Sequence, residues 1–152
     1  MKEKALRYKD EDNKAHSFIC ASDASFINNM LDRKSSQQYI ILLFKVAIAW
    51  NASKQNTVTT SSTKPELLAL SQTAKKAIFT SQLLKALTLQ LNELLIIECD
   101  NSQTLRLVMK ESMKLLTKLR HVDIHNHWLC QEYAEWWVLF DWTPTQDMMW
   151  TA

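Results

Sequence analysis

The alternation of apolar and polar residues predicts several strands along the chain. Residues 16–24 place apolar side chains at alternate positions, which predicts a strand that ends near Asp23. Residues 38–50 are rich in β-branched and aromatic side chains and are long enough for two antiparallel strands that turn near positions 44–46. Residues 93–100 form a short apolar run that ends at a carboxylate, which is typical of a strand buried on both faces.

A different spacing, with apolar residues three to four positions apart, predicts a long amphipathic helix that starts at Thr63. Pro65 in the first turn and Glu66 three residues after Thr63 form the pattern of a capping box. Further helices are predicted over residues 102–110 and 121–134, and a last strand over residues 136–142. The order βββαβααβ indicates an α/β fold in which helices cover a mixed sheet.

Composition limits the chain to one soluble domain, because 152 residues with 47% hydrophobic side chains bury one core but not two. The net charge of +2 is too small to indicate nucleic-acid binding by itself, so such a function must rest on motifs. Cys20, Cys99 and Cys130 lack the paired spacing of a zinc site and are expected to be reduced thiols in an intracellular compartment. No apolar run approaches the ~18 residues of a membrane span, so we expect no membrane partner.

The absence of glycine is the unusual feature of the composition. An average chain of this length would contain roughly 11 glycines, whereas this one contains 0. Tight turns must therefore be built from residues that carry a Cβ atom, which makes left-handed backbone conformations costly.

Three carboxylates fall at positions that can meet at one edge of the predicted sheet. Asp23 and Asp100 end strands, and Glu66 lies in the first turn of the main helix. Hydrolysis of a phosphodiester benefits from two divalent cations about 4 Å apart, and carboxylates hold such cations. The spacing alone is weak evidence, since each aspartate can equally be an exposed acid at a strand end and Glu66 can serve the capping box.

The sequence around these acids resembles the RNase H family of Ty1/Copia retrotransposons from about Ala21 to Trp150. The motifs follow one another in the family's order: SDAS (22–25), DRKS (32–35) before Tyr39, AIAW (47–50), SKQNTV (53–58), SSTKPELLAL (61–70), CDNSQ (99–103), RHVDIHNHW (120–128) and PTQDMMWT (144–151). Glycines usual in the family are replaced by Gln38 and by Lys45-Val46.

The resemblance implies a five-stranded RNase H fold and a cluster of four acids that holds two Mg²⁺, with Mn²⁺ as a substitute. Asp23, Glu66 and Asp100 match the first three acids. Thr151 stands at the fourth position, which leaves Asp147 as the nearest substitute ligand.

The resemblance also implies a substrate and partners. The substrate is an RNA/DNA hybrid, contacted through Ser62, Thr63, Asn101 and Ser102. The expected partner is the reverse transcriptase region of the same polyprotein, with residues 1–15 as the connecting segment and 16–152 as the domain. The expected location is the cytoplasm, in a retrotransposon particle, or the nucleus.

Two other classes of function remain open. Loss of the fourth acid and of every glycine fits a decayed or repurposed domain that binds nucleic acid or a partner without hydrolysis. A partner-binding domain unrelated to nucleases would be favoured if the three acids lay far apart.

The pair His125 and His127 is expected on different helix faces rather than at a zinc ion. The tryptophans at 136, 137 and 142 fit packing better than base stacking, and the basic stretch 110–120 fits a solvated face or a phosphate-binding patch equally.

Overall fold

The computed structural model describes residues 17–25, 34–56, 58, 62–89, 94–109, 120–135 and 138–148. The elements, in chain order, are β1 (Phe18–Ser25), β2 (Ser36–Leu43), β3 (Val46–Lys54), α1 (Thr63–Ala86), β4 (Leu95–Cys99), α2 (Ser102–Met109), α3 (Arg120–Ala134), β5 (Val138–Trp142) and a 3-10 turn (Thr145–Asp147). This is the predicted order, and the first strand continues two residues beyond its predicted end at Asp23. The connecting segment 1–15, the basic stretch 110–119, Trp136, Trp137 and Thr151 lie outside the described residues.

The strands form one five-stranded mixed sheet in the order β3-β2-β1-β4-β5. The antiparallel pairs are β1–β2 and β2–β3, whereas β1–β4 and β4–β5 are parallel. The carboxyl ends of β1 and β4 therefore lie at the same edge. Ser22 pairs with Cys99 in the register of these two strands, so Asp23 and Asp100 are the next residues on adjacent strands.

The core lies between one face of the sheet and the helices. The buried apolar side of α1 contributes Leu67, Leu70, Ala74 and Ala77. These side chains belong to the same cluster as apolar residues of β1, β2, β4, β5, α2 and α3. Because each large apolar side chain contributes about 1.5–3 kcal/mol when fully buried, this contact fixes α1 on the sheet. Within the described part of the chain, no helix has the length and apolar character needed to span a lipid bilayer.

Residues other than glycine adopt left-handed backbone conformations where the chain turns. The β2–β3 hairpin turns at Phe44 and Lys45, within the predicted region, with φ of 50° and 63°. Positive φ at both central positions is the geometry that matches the twist of a two-residue hairpin, and it normally selects Asn or Gly. The fold therefore keeps the turn geometry and accepts a backbone conformation that costs roughly 1–2 kcal/mol per residue.

The C-terminus of α1 shows the same substitution. The Leu89 N–H donates to the Leu84 carbonyl and the Thr88 N–H to the Lys85 carbonyl, both at 3.0 Å, which is the Schellman pattern. Thr88 occupies the position that glycine usually fills, with φ of 66°. A β-branched side chain is poorly suited to this conformation.

We expect Thr88→Gly to raise the free energy of unfolding by about 1 kcal/mol, because glycine removes the Cβ strain at this position. The gain is reduced by the greater freedom of glycine in the unfolded chain. Chemical denaturation measures the change, with Thr80→Gly in the middle of α1 as the control. That control should lower the stability, because glycine in a helix interior is unfavourable. An unchanged or lower stability of Thr88→Gly would contradict the interpretation.

Helix α1 starts at the predicted residue, but the predicted capping box is wrong. Ser62 precedes the helix with helical angles, φ −65° and ψ −30°, and makes no side-chain capping bond. The Thr63 hydroxyl lies 3.4 Å from Gln103 Oε1, at the start of α2, where it donates a hydrogen bond. The Glu66 side chain is therefore not used as a cap and is available at the sheet edge.

Candidate metal centre

Three structural elements bring acidic side chains to the carboxyl edge of the sheet. Asp23 lies near the end of β1, Asp100 follows β4 directly, and Glu66 lies in the first turn of α1. Glu66 is only 7% exposed because α1 packs against the sheet at this point. The sequence prediction that these three acids share one sheet edge agrees with their positions in the fold.

The tightest group at this edge consists of Glu66, Cys99 and Asp100. One ligand atom from each, a carboxylate oxygen or the sulfur, lies within 4.8 Å of the others. Asp23 is outside this group, although its charge acts on Glu66 and the charge of Asp100 acts on both. One Glu66 oxygen, Oε2, is buried and has no hydrogen-bond partner.

The close approach of the carboxylates disfavours their ionised forms. Burial, followed by the charges of Asp100 and Asp23, raises the pKa of Glu66 to about 8. Burial is also the main cause of the raised pKa of Asp23, with a smaller contribution from Asp100. A bound cation would reverse these effects, because it stabilises the charged form of each carboxylate.

Asp23 has a neutral partner on the neighbouring strand. Gln38 is opposite Asp23 in the β1–β2 register, and its Nε2 donates to Asp23 Oδ2 at 2.7 Å. This hydrogen bond lowers the pKa of Asp23 and so opposes the effect of burial. Gln38 thus holds the Asp23 carboxylate in place, a role that glycine at this position in the resembled family cannot have.

We expect Gln38→Ala to raise the pKa of Asp23, because the hydrogen bond that favours its ionised form is removed. A pH titration of the side-chain carboxyl signal by carbon NMR measures the change. Gln37→Ala is the matched control, since the Gln37 amide contacts Gln72 and not Asp23. A pKa of Asp23 that stays the same or falls in Gln38→Ala would show that the amide does not stabilise the carboxylate.

Asp100 also has partners, and they come from the segment after β5. The Thr145 hydroxyl donates to Asp100 Oδ2 at 2.7 Å, and Trp142 Nε1 donates to the Asp100 carbonyl at 3.1 Å. Asp147 is exposed and lies in the same 3-10 turn as Thr145. The structure therefore puts a hydroxyl on Asp100 and leaves Asp147, the sequence-based candidate for the fourth ligand, outside the tight group.

The four predicted substrate-binding residues flank the acids. Ser62 and Ser102 are exposed, and Thr63 and Asn101 are partly exposed. Asn101 Oδ1 accepts from the Thr104 N–H at 3.0 Å and so caps α2. The cap uses the amide oxygen and leaves the amide nitrogen on the side chain for other contacts.

Sequence reasoning missed Gln38, Cys99 and Thr145 as members of this site. Gln38 could have been found from the hairpin register, because the turn at 44–45 puts it opposite Asp23. Cys99 belongs to the CDNSQ motif, but its spacing from the other cysteines indicates no ligand role. The contact of Thr145 depends on the path of the chain after β5, for which the sequence carries no local signal.

The histidine and tryptophan expectations can be partly compared with the structure. His127 is exposed, whereas His125 is partly buried with Nδ1 2.8 Å from the Ser71 hydroxyl and 3.3 Å from Lys75 Nζ. This fits the expectation of different helix faces. Trp142 is 52% exposed and contacts the Asp100 backbone, so it lies at the rim of the site rather than in the core.

Comparison with known proteins identifies relatives of the sequence. No protein-family model matches the chain. The chain is 30% identical over 108 residues to the retrovirus-related Pol polyprotein from transposon TNT 1-94 of Nicotiana tabacum, a match that covers 71% of this chain. It is also 34% identical over 58 residues to the secreted RxLR effector protein 161 of Plasmopara viticola, which covers 38% of this chain. The chain spans 8% of the length of the first protein and 41% of the second.

Solved structures similar to this chain share its fold. The N-terminal RNase H domain of rv2228c from Mycobacterium tuberculosis has a TM-score of 0.59 at 10% identity, covering 86% of this chain and 84% of that one. LC11-RNase H1 in complex with an RNA/DNA hybrid has a TM-score of 0.56 at 10% identity, covering 85% and 86%. The foamy viral protease-reverse transcriptase in complex with an RNA/DNA hybrid has a TM-score of 0.60 at 13% identity, covering 93% of this chain and 20% of that one.

These identities are too low to carry more than the fold, but the sequence match to the Pol polyprotein is independent of them. The match covers 71% of this chain, and the RNase H structures share its fold over 85% or more of its length. The chain is therefore homologous to a segment of a retrotransposon Pol polyprotein, and it has the RNase H fold.

Proposed function

We propose that this chain is the RNase H domain of a Copia-like retrotransposon and hydrolyses the RNA strand of RNA/DNA hybrids with divalent metal ions. The observation that carries the proposal is the approach of Glu66 and Asp100 at the sheet edge, with Asp23 on the adjacent strand. A carboxylate as buried as Glu66, with one oxygen unpartnered, is costly unless a cation completes its environment.

The donor set fits Mg²⁺, because carboxylate oxygens are the ligands that this hard cation prefers. Asp23, Glu66 and Asp100 would hold the ions, and Asp147 is the candidate for a fourth ligand if its segment moves toward Asp100. When bound, two such ions lower the pKa of the attacking water and stabilise the leaving 3′ oxygen. Gln38 orients Asp23, and Thr145 orients Asp100, through the hydrogen bonds described above.

Selectivity for RNA requires contacts to 2′-hydroxyl groups across the wide minor groove of the hybrid. Ser62, Thr63, Asn101 and Ser102 lie next to the acids in sequence and are at least partly exposed. Their hydroxyl and amide groups both donate and accept hydrogen bonds, which suits a 2′-hydroxyl. Two proteins of similar fold are solved with an RNA/DNA hybrid, which supports the same substrate class for this chain.

The wider assignment follows from the Pol homology. We propose that the domain, residues 16–152, works next to the reverse transcriptase region of the same polyprotein and that residues 1–15 connect the two. On this proposal the domain acts in the retrotransposon particle in the cytoplasm or in the nucleus.

A second candidate function is a repurposed RNase H fold that binds a hybrid or a partner without cleaving it. The observation that favours it is the presence of neutral donors on both aspartates, Gln38 on Asp23 and Thr145 on Asp100. Glu66, whose pKa is about 8, would moreover be mostly protonated at neutral pH without a cation. Both features stabilise the site without metal.

The decisive experiment incubates the purified chain with a labelled RNA/DNA hybrid and Mg²⁺ or Mn²⁺. Circular dichroism and a melting curve establish that the protein is folded. Cleavage of the RNA strand, and not of the DNA strand or of single-stranded RNA, is the expected result. A folded protein that binds the hybrid without cleaving it in either metal would refute hydrolysis and support the second candidate.

A further inference from the structure

The group of Glu66, Cys99 and Asp100 differs from an all-oxygen magnesium site because one of its three ligand atoms is sulfur. Cys99 ends β4 on the core side of the sheet, fully buried, and is a free thiol. Asp100 is the next residue, and one oxygen of its carboxylate lies within 4.8 Å of the Cys99 sulfur. The sulfur is therefore a built part of the carboxylate site rather than a surface thiol near it.

A second observation points to a ligand at this place. Glu66 is 93% buried, given its 7% exposure, and its Oε2 has no hydrogen-bond partner while its carboxylate approaches both Cys99 and Asp100. The Glu66 carboxylate also accepts a hydrogen bond from the Ala24 backbone, so Oε2 is the atom left with capacity for a further ligand. Two carboxylates and one thiol attract a cation, not an anion.

We propose that Glu66, Cys99 and Asp100 form a binding site for a thiophilic divalent cation of the Zn²⁺ or Cd²⁺ class. Donor atoms within 4.8 Å of one another can surround an ion at about 2.3 Å from sulfur and about 2.0–2.2 Å from oxygen after small side-chain shifts. Three protein ligands leave a fourth, open position on a tetrahedral ion. Soft ions gain most from the sulfur, whereas Mg²⁺ does not select it.

Binding exchanges one bond for another without oxidation or reduction. The Cys99 S–H bond breaks as the sulfur–metal bond forms, and the proton is released to the solvent. The proposal goes beyond hydrolysis but shares its carboxylates: a cation held by Cys99 takes Glu66 and Asp100 away from Mg²⁺. The proposed thiophilic site rests on the proposed function only where the two kinds of cation compete for Glu66 and Asp100. This competition would make a thiophilic ion an inhibitor of cleavage.

The test is a titration of the full 152-residue chain with Cd²⁺ in the presence of a phosphine reductant, which keeps the thiols reduced without supplying one. A sulfur-to-cadmium charge-transfer band in the ultraviolet is expected to reach its maximum at one equivalent. In Cys99→Ala the band should be lost. In Cys130→Ala, which removes the half-buried thiol of α3, it should be unchanged.

Two oxygen-ligand variants keep the proposal falsifiable if Cys99→Ala does not fold. Glu66→Gln and Asp100→Asn retain Cys99 and should each weaken Cd²⁺ binding by at least about tenfold, since even residues behind the first ligands have effects of this size. A band that persists in Cys99→Ala, a band lost in Cys130→Ala, or unchanged affinity in both oxygen-ligand variants would each overturn the site.

A parallel measurement separates this inference from the proposed function. If Cd²⁺ gives the Cys99-dependent band while Mg²⁺ neither raises the melting temperature nor supports cleavage, hydrolysis fails and the thiol site stands. If Mg²⁺ supports cleavage and Cd²⁺ gives no Cys99-dependent band, the thiol site fails alone. Where both are right, excess Mg²⁺ weakens the band and Cd²⁺ inhibits cleavage in the unsubstituted chain more strongly than in Cys99→Ala.

Discussion

Asp100→Asn is expected to reduce metal-dependent cleavage of the RNA strand by at least about 100-fold, beyond the 10- to 100-fold typical of residues behind the first ligands. Asp100 is central to the site: it approaches Glu66 in the tight group and its charge acts on Asp23. An asparagine keeps the size of the side chain and can still accept from Thr145 Oγ1, but it supplies no negative charge. The loss should therefore reflect cation binding rather than a local change of fold.

The measurement is initial-rate cleavage of a labelled hybrid across a range of Mg²⁺ concentrations, together with the Mg²⁺-induced shift of the melting temperature. Asp141→Asn is the matched control, since Asp141 is an exposed acid in β5 opposite Glu98. The control should cleave normally and keep the thermal shift. If Asp100→Asn retained more than a tenth of the activity, Asp100 would not be a metal ligand. If both variants were inactive, the loss would be attributable to the fold.

The order and type of the elements could be predicted because local patterns determine them. The alternation of Phe18, Cys20 and Ala24 with smaller or polar residues predicted β1, although Ile19 and Ala21 between them are buried as well. The three-to-four spacing from Leu67 to Ala77 defines the buried side of α1. The sequence indicated only that Asp23 and Asp100 can meet, because strand ends can converge on one sheet edge. The parallel pairing of β1 and β4 brings them to the same edge. Glu66 followed from the helix start, which Pro65 marks in the sequence.

Other features depend on contacts between segments far apart in sequence. Thr63 was predicted to cap its own helix, yet its hydroxyl contacts Gln103, 40 residues later. Thr145 donates a hydrogen bond to Asp100, 45 positions earlier in the chain, and no local sequence pattern predicts such a contact. The geometry of the β2–β3 turn could not be predicted for a different reason. Phe44 and Lys45 both have positive φ, but neither is a residue type that indicates this conformation in a sequence.

The metal-free protein is expected to lose stability as pH rises toward and through about 8, where Glu66 ionises in the folded state. In the unfolded chain this carboxyl has its ordinary pKa of 4.5. Between these values the folded state holds a proton that the unfolded state has released, so each increase in pH favours unfolding. The stability contribution is thus fully present below pH 4.5 and lost above pH 8. At 1.36 kcal/mol per unit, the full difference amounts to at most about 5 kcal/mol.

Glu66→Gln tests this directly, because the amide is neutral at every pH and of similar size. The variant should be more stable than the unsubstituted chain at pH 9, by up to a few kcal/mol, and nearly equal to it at pH 5. Urea denaturation at fixed pH values, with a chelator present, measures both profiles. Glu135→Gln at an exposed position removes only a small influence on Glu132 and should change the profile far less than Glu66→Gln. Mg²⁺ should reverse the trend for the unsubstituted chain only, since cation binding requires the ionised carboxylate and stabilises the folded state that binds it. A profile for the unsubstituted chain that rises between pH 5 and 9 without metal would mean that burial and the charges of Asp100 and Asp23 do not raise the pKa of Glu66.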